Sequence, residues 1–181
     1  MRIGLRTGVA LMAAAAVLSM SGGAVAWPSK ATAAELPRET AAPPIPTGPM
    51  AVIIINPTNA IFSSVENGRG PNGEVLVTEV TVYDPPETKD LSRPAAMAVW
   101  HVAYDCKARR LSLLIVAHYD AEGGLVRTVP MPPSAALNYP DTYEPARLMC
   151  GDKPITGEVV TGGREALLAR GRALVAEKNR I

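Results

Sequence analysis

From Trp100 to Asp120 the chain carries two largely apolar runs on either side of one polar break, Lys107-Ala108-Arg109-Arg110, with a cysteine at the bend. Alternation of period two places successive side chains on opposite sides of a strand, so this stretch predicts an antiparallel hairpin. A turn at Lys107 to Arg110 sets Cys106 opposite Leu111, Trp100 opposite Ala117 and Ala98 opposite Tyr119. Facing residues share a side of the sheet. One side then carries Ala98, Trp100, Val102, Tyr104 and Cys106 with Leu111, Leu113, Ile115, Ala117 and Tyr119, and is expected to be the core face. The other side is mixed. It holds His101 and Asp105 with Ser112, His118 and Asp120 among apolar residues. A slip of one residue would exchange the two sets, so the pattern itself specifies the pairing.

Further strands follow from composition. Ala51 to Ile55 is largely β-branched and is cut off by Asn56-Pro57, which reads as a strand with both faces at least partly covered. Asn67 to Gly73 reads as a loop, Val75 to Tyr83 as a strand closed by Asp84-Pro85-Pro86, and Leu125 to Val129 as a strand entered through the Asp120-to-Gly124 turn. Residues 130–149 are expected to be irregular, because Pro130, Pro132, Pro133, Pro140 and Pro145 interrupt them. After Thr161 the period changes. Leu167, Leu168, Leu174 and Val175 recur at helical spacing with Gly171 between them, predicting a helix over residues 164–179. Gly171 is unfavourable in a helix interior by up to about 1 kcal/mol, which suggests a close-packing point. The predicted fold is α+β: a small twisted antiparallel sheet of about five strands with the C-terminal helix packed on one face.

The start of the chain is read as a targeting segment. Arg2 and Arg6 precede an apolar run from Val9 to Met20, and Ala24-Val25-Ala26 offers a small-x-small cleavage site. The run is short beside the roughly 20 residues of a bilayer span. The expected organisation is a signal peptide over 1–26, a proline-rich tether over 27–49 and one domain over 50–181. Cleavage falls after Ala26, with Ala31-Thr32-Ala33 as a second possible cut. The mature protein is expected in the periplasm, on the outer cell surface or secreted, with no stable transmembrane anchor.

Lys and Arg number 18, two of them in the leader, so 16 remain against 17 acidic residues. That balance supplies no basic field to draw the chain to nucleic acid. Residues 162–181 hold five basic and two acidic side chains. A basic helix of this kind can meet anionic lipid or an acidic partner, or can dock on its own sheet and solvate its charges, which is the reading adopted. Two cysteines in an exported domain are expected to pair, Cys106 with Cys150, because they lack the Cys-x-x-Cys spacing of redox or metal sites.

Chemistry-bearing motifs are few. The chain has no Gly-x-Ser-x-Gly elbow, no His-Glu-x-x-His and no phosphate-binding loop. His101 and His118, the only histidines, are diagonal neighbours on one side in the register above. They are the candidate residues of an alternative function, a periplasmic enzyme or a metal-binding protein. The principal expectation is a non-catalytic binding module with an unidentified protein or envelope partner and no cofactor.

The run from Trp100 into Asp105-Cys106, the basic turn, the strand ending in Tyr119-Asp120, the glycine turn and the later Cys150 together resemble the surface-adhesin protein E family over roughly residues 50–150. The resemblance implies a small antiparallel sheet with a C-terminal helix, a Cys106–Cys150 bridge and a role in binding host proteins. It falls on scaffold positions and carries no ligand-contacting residues. The chain also departs from the family in having no cysteine for a lipid anchor near its start.

Overall fold

The computed structural model describes residues 39–132, 136–151 and 157–181. The expected signal peptide and the beginning of the expected tether lie outside the described residues. In chain order the elements are β1 (Met50–Ile55), β2 (Asn59–Ser64), β3 (Gly68–Arg69), β4 (Val75–Glu87), β5 (Ala95–Asp105), β6 (Arg110–Tyr119), β7 (Leu125–Pro130), β8 (Leu137–Asn138), α1 (Glu144–Met149), β9 (Val159–Val160) and α2 (Gly163–Lys178). All the strands join one open antiparallel sheet. Its path runs β7-β6-β5-β4-β2-β1-β9, with β3 added to β4 and β8 added to β6.

Among the described residues nine strands replace the expected five or so. β2 escapes sequence reading because Asn56-Pro57 marks the end of β1 while the return is only three residues long. The Asn56 amide donates to the Asn59 carbonyl (2.8 Å), and the Asn56 side chain donates to the Asn59 side chain (2.9 Å), closing that turn. β3, β8 and β9 are two-residue additions with no period to read. β4 continues through Asp84-Pro85-Pro86, where a stop is expected, across a cis Asp84–Pro85 bond. Glu144-Pro145 begins the short helix α1 instead of interrupting it, since proline in a first helical turn removes an N–H that has no partner anyway.

The central hairpin forms, with its turn one residue earlier than expected. Asp105 pairs with Arg110, so residues 106–109 make the turn. The Asp105 carboxylate accepts from the amides of Lys107 (3.1 Å) and Ala108 (2.9 Å), and Arg109 adopts φ of 54°. This local capping by aspartate competes successfully with the simple facing arithmetic. A second departure is larger. Val102 faces Leu113 and His101 faces Ile115, which leaves Leu114 as a bulge. One extra residue reverses the side on which all later residues of β6 project.

The bulge divides the apolar side chains of β6 between two cores. The first face packs under α2. Phe62, Val80, Val82, Met97, Val99, Ala117 and Tyr119 meet Leu167, Leu168, Leu174 and Val175 there. On the second face, near the hairpin turn, Val75, Val77, Val102, Tyr104 and Leu111 pack with Ala146 and Met149 of α1. The expectation of one core face on the hairpin is thus corrected to two, separated by Leu114. Gly171 is the expected close-packing point: a Cβ there would lie 2.6 Å from the Cβ of Val82.

Cys106 and Cys150 are joined by a disulfide across 44 residues of chain. It fastens the end of α1 to the hairpin bend, under which Tyr139 also sits. The boundary expected at residue 49 moves as well. Ala42 and Ile45 pack against the first-face core, Pro43 is fully buried, and the Tyr119 hydroxyl donates to the Pro43 carbonyl (2.5 Å). Residues 39–49 are therefore part of the domain and not a tether. Proline suits this run, because it offers carbonyls and apolar surface without donors that need partners.

Candidate functional site

His101 and His118 project from opposite faces of the sheet. Both belong to the hairpin, but the Leu114 bulge sets His101 opposite Ile115 on the first face and His118 opposite Ala98 on the second. The expectation that they are diagonal neighbours on one side is corrected here, and the two imidazoles cannot share one ion. His101 Nδ1 pairs with the Glu39 carboxylate. His118 meets Trp100 edge to face at 6.5 Å, and its Nδ1 is buried without a partner among the described residues. Burial, aided by Arg127 and opposed by Glu87, lowers its pKa below the usual histidine value. The mixed-side residues serve the scaffold. Asp105 caps the turn, and Asp120 pairs with Arg93 (2.8 Å) and accepts from the Gly124 amide (2.6 Å). Among the described residues no group of three or more His, Cys, Asp or Glu is placed to hold a metal ion.

The group that sequence reasoning did not single out is Glu79. It lies in β4 directly opposite Trp100, in step with Val75 and Val77, on the second face of the sheet. Tyr104 is fully buried on the neighbouring strand and donates its hydroxyl to Glu79 Oε1 (2.7 Å). Among the described residues no cation pairs with the carboxylate. Burial pushes the Glu79 pKa up to about 7, with the Tyr104 hydrogen bond acting in the opposite direction. A carboxyl removed from water resists ionisation in this way unless a positive partner compensates.

Tyrosines continue from this point toward α1. The Tyr104 phenol is held well above its usual pKa by burial and then by the Glu79 carboxylate. Tyr143, at the start of α1, is pushed up to about 12 by burial and next by Glu79, with hydrogen bonding to Tyr104 lowering it. Tyr139 stands edge-on to Tyr104 at 6.2 Å and tilted against Tyr143 at 5.8 Å. Its hydroxyl lies 3.6 Å from Cys150 Sγ and donates to the Asp105 carbonyl (3.4 Å). The disulfide therefore holds the tyrosine end of the site in place. At the other end Tyr83, Trp100 and His118 are each half-buried. Burial and then Glu87 raise the Tyr83 pKa beyond the usual phenol range.

A sequence signal for Glu79 existed. In Val75-Leu-Val-Thr-Glu-Val-Thr-Val82 the glutamate falls in phase with Val75 and Val77, and a charge in phase with buried valines marks a site. The second-face strip offers hydrogen-bonding phenols, aromatic surface and one carboxyl that changes charge near neutrality. These are groups suited to recognition. Neither helix occupies its far end, since α2 covers the first face and α1 the hairpin end of the second. Among the described residues no helix is long and apolar enough to cross a membrane. Comparison with protein-family models, with curated proteins and with solved structures finds no match to this chain.

Proposed function

We propose that the protein is an exported envelope protein acting as a non-catalytic binding module, of the adhesion type implied by its resemblance to surface-adhesin protein E. It presents the second face of its sheet to a partner. The observation that carries this reading is the strip from Tyr83 through Trp100 and Glu79 to Tyr143, whose aromatic rings are half-buried and whose far end, at Tyr83 and His118, lies outside both helix-packed cores. Tyrosine and tryptophan supply large contact area at small conformational cost, as binding surfaces require. The disulfide supports an oxidising compartment for the folded domain. The leader-like start adds to that support.

The test has two parts. N-terminal mapping of the protein from its own cells is expected to give a mature start at Trp27 or near Ala33, with the protein outside the cytoplasm. Affinity capture from envelope extract, with wild type beside Trp100→Ser and His118→Ala, is expected to recover a partner that both variants lose. Retention of the uncleaved start in the cytoplasm would sink the export half. A partner captured equally by all three proteins would sink the assignment of the face.

A further inference from the structure

We propose that the Glu79 carboxylate, set between Trp100 and Tyr143 on the second face, receives an aliphatic ammonium group. The inference rests on the reading of that face as a binding surface, and it names the chemistry the surface recognises.

Only one of the two Glu79 carboxylate oxygens is hydrogen-bonded. Oε1 accepts from Tyr104, while Oε2 has no partner among the described residues and is not sealed from solvent. No lysine, arginine or histidine pairs with it among those residues. Its neighbours are Tyr104 on β5, Tyr143 just before α1, Trp100 directly opposite on β5 and Ser63 directly opposite on β2. A carboxylate held in such surroundings lacks a counter-charge, and a cation that arrives with its own donors supplies one. Aromatic rings beside a carboxylate favour an ammonium in particular, because their faces attract a cation that the carboxylate then hydrogen-bonds. A neutral alcohol or sugar would find donors and apolar surface here but would leave the charge uncompensated.

The ammonium has two possible sources, a free amine or a lysine side chain of a partner protein. The measurement follows the Trp100 indole N–H by NMR in the full mature protein, assigned against Trp100→Phe. The probes are n-butylammonium, Nα-acetyl-lysine methylamide and neutral 1-butanol. Both ammonium probes are expected to shift the resonance saturably at millimolar concentrations, and butanol is not. Tighter binding of the lysine derivative would assign the site to a protein side chain, and equal binding would assign it to the ammonium alone. Glu79→Gln, which can still accept from Tyr104, is expected to weaken binding tenfold or more. Should that variant not fold, Tyr143→Leu carries the test, with an expected loss of about threefold. An unchanged affinity in the variant, an equal response to butanol, or no saturable shift overturns the proposal. Capture of an envelope partner through Trp100 without amine binding would leave the binding-module reading standing and remove this one alone.

Discussion

Gly171 lies so close over Val82 that a single added carbon would stand 2.6 Å from the valine Cβ and 2.7 Å from its Cγ1. The helix α2 thus rests on the sheet at a point where only glycine fits. Gly171→Ala would gain helix propensity of roughly 1 kcal/mol. Overpacking against β4, in the midst of the first-face core, outweighs that gain. A net loss of about 1–3 kcal/mol is expected in urea denaturation. A stabilised variant would show that the helix can lift away from Val82 at little cost.

Leu168 is 7% exposed within the same core. Leu168→Asp places an unpaired carboxylate under α2, and a loss of several kcal/mol of domain stability is expected. Truncation after Gly157, which removes β9 and α2 together, should be at least as damaging. Equal melting temperatures for full-length and truncated protein would mean that the helix adds nothing to the fold.

Glu79 makes stability depend on pH in a particular direction. The folded domain keeps its proton up to about pH 7, whereas the ordinary carboxyl loses it near 4.5. Its contribution is fully present below the lower value and is lost as pH rises through the upper one. The shift makes the effect on the order of 1–3 kcal/mol. His118 opposes it, because its depressed pKa removes stability as pH falls below the usual histidine value. Glu79→Gln should therefore be more stable than wild type at pH 8, and its stability should decline less between pH 5 and 8. Parallel pH profiles for the two proteins would contradict the assignment.

The Cys106–Cys150 bridge closes a loop of 44 residues. The chain-entropy account gives it roughly 4 kcal/mol. The double alanine variant is expected to lose stability of that order and to release Tyr139 and Tyr143, visible as a changed near-ultraviolet tyrosine signal. The unreduced protein should contain no thiol that reacts with an alkylating agent.

Zinc titration discriminates further. With His101 paired to Glu39 on one face and His118 beside Trp100 on the other, no stoichiometric complex that needs both histidines is expected. Calorimetry showing one zinc per chain, lost in both His101→Ala and His118→Ala, would require the two faces to meet in some other arrangement.

The long alternating runs were legible because packing on a face imposes its period on the sequence. β5, the first half of β6 and the stripe of α2 are read almost residue by residue, and the Cys106–Cys150 pairing follows from an even cysteine count. What escaped depends on single contacts between distant segments. β2 lacks a long period, and Pro43 is buried only because the Tyr119 hydroxyl and the first-face core await it. The Leu114 bulge has no signature in a run as uniformly apolar as Leu113 to Ala117. Glu79 was visible as a charge out of place, but its meaning came from Tyr104 and Tyr143, brought beside it by a strand and a helix far along the chain.

The extra residue at position 114 also governs which side chains can sense one another. Leu113 and Ile115 are next-but-one neighbours, a spacing that in a regular strand makes them share a face and couple energetically. Here the sheet stands between them. Shaving Leu113 and Ile115 together should cost the sum of the separate losses, within about 0.5 kcal/mol. Deletion of Leu114 would undo that insulation, committing both residues to one side and leaving the other core short of a wall. The strand thus lets each core vary without consulting the other, and the second face can change its residues while the core under α2 keeps its own.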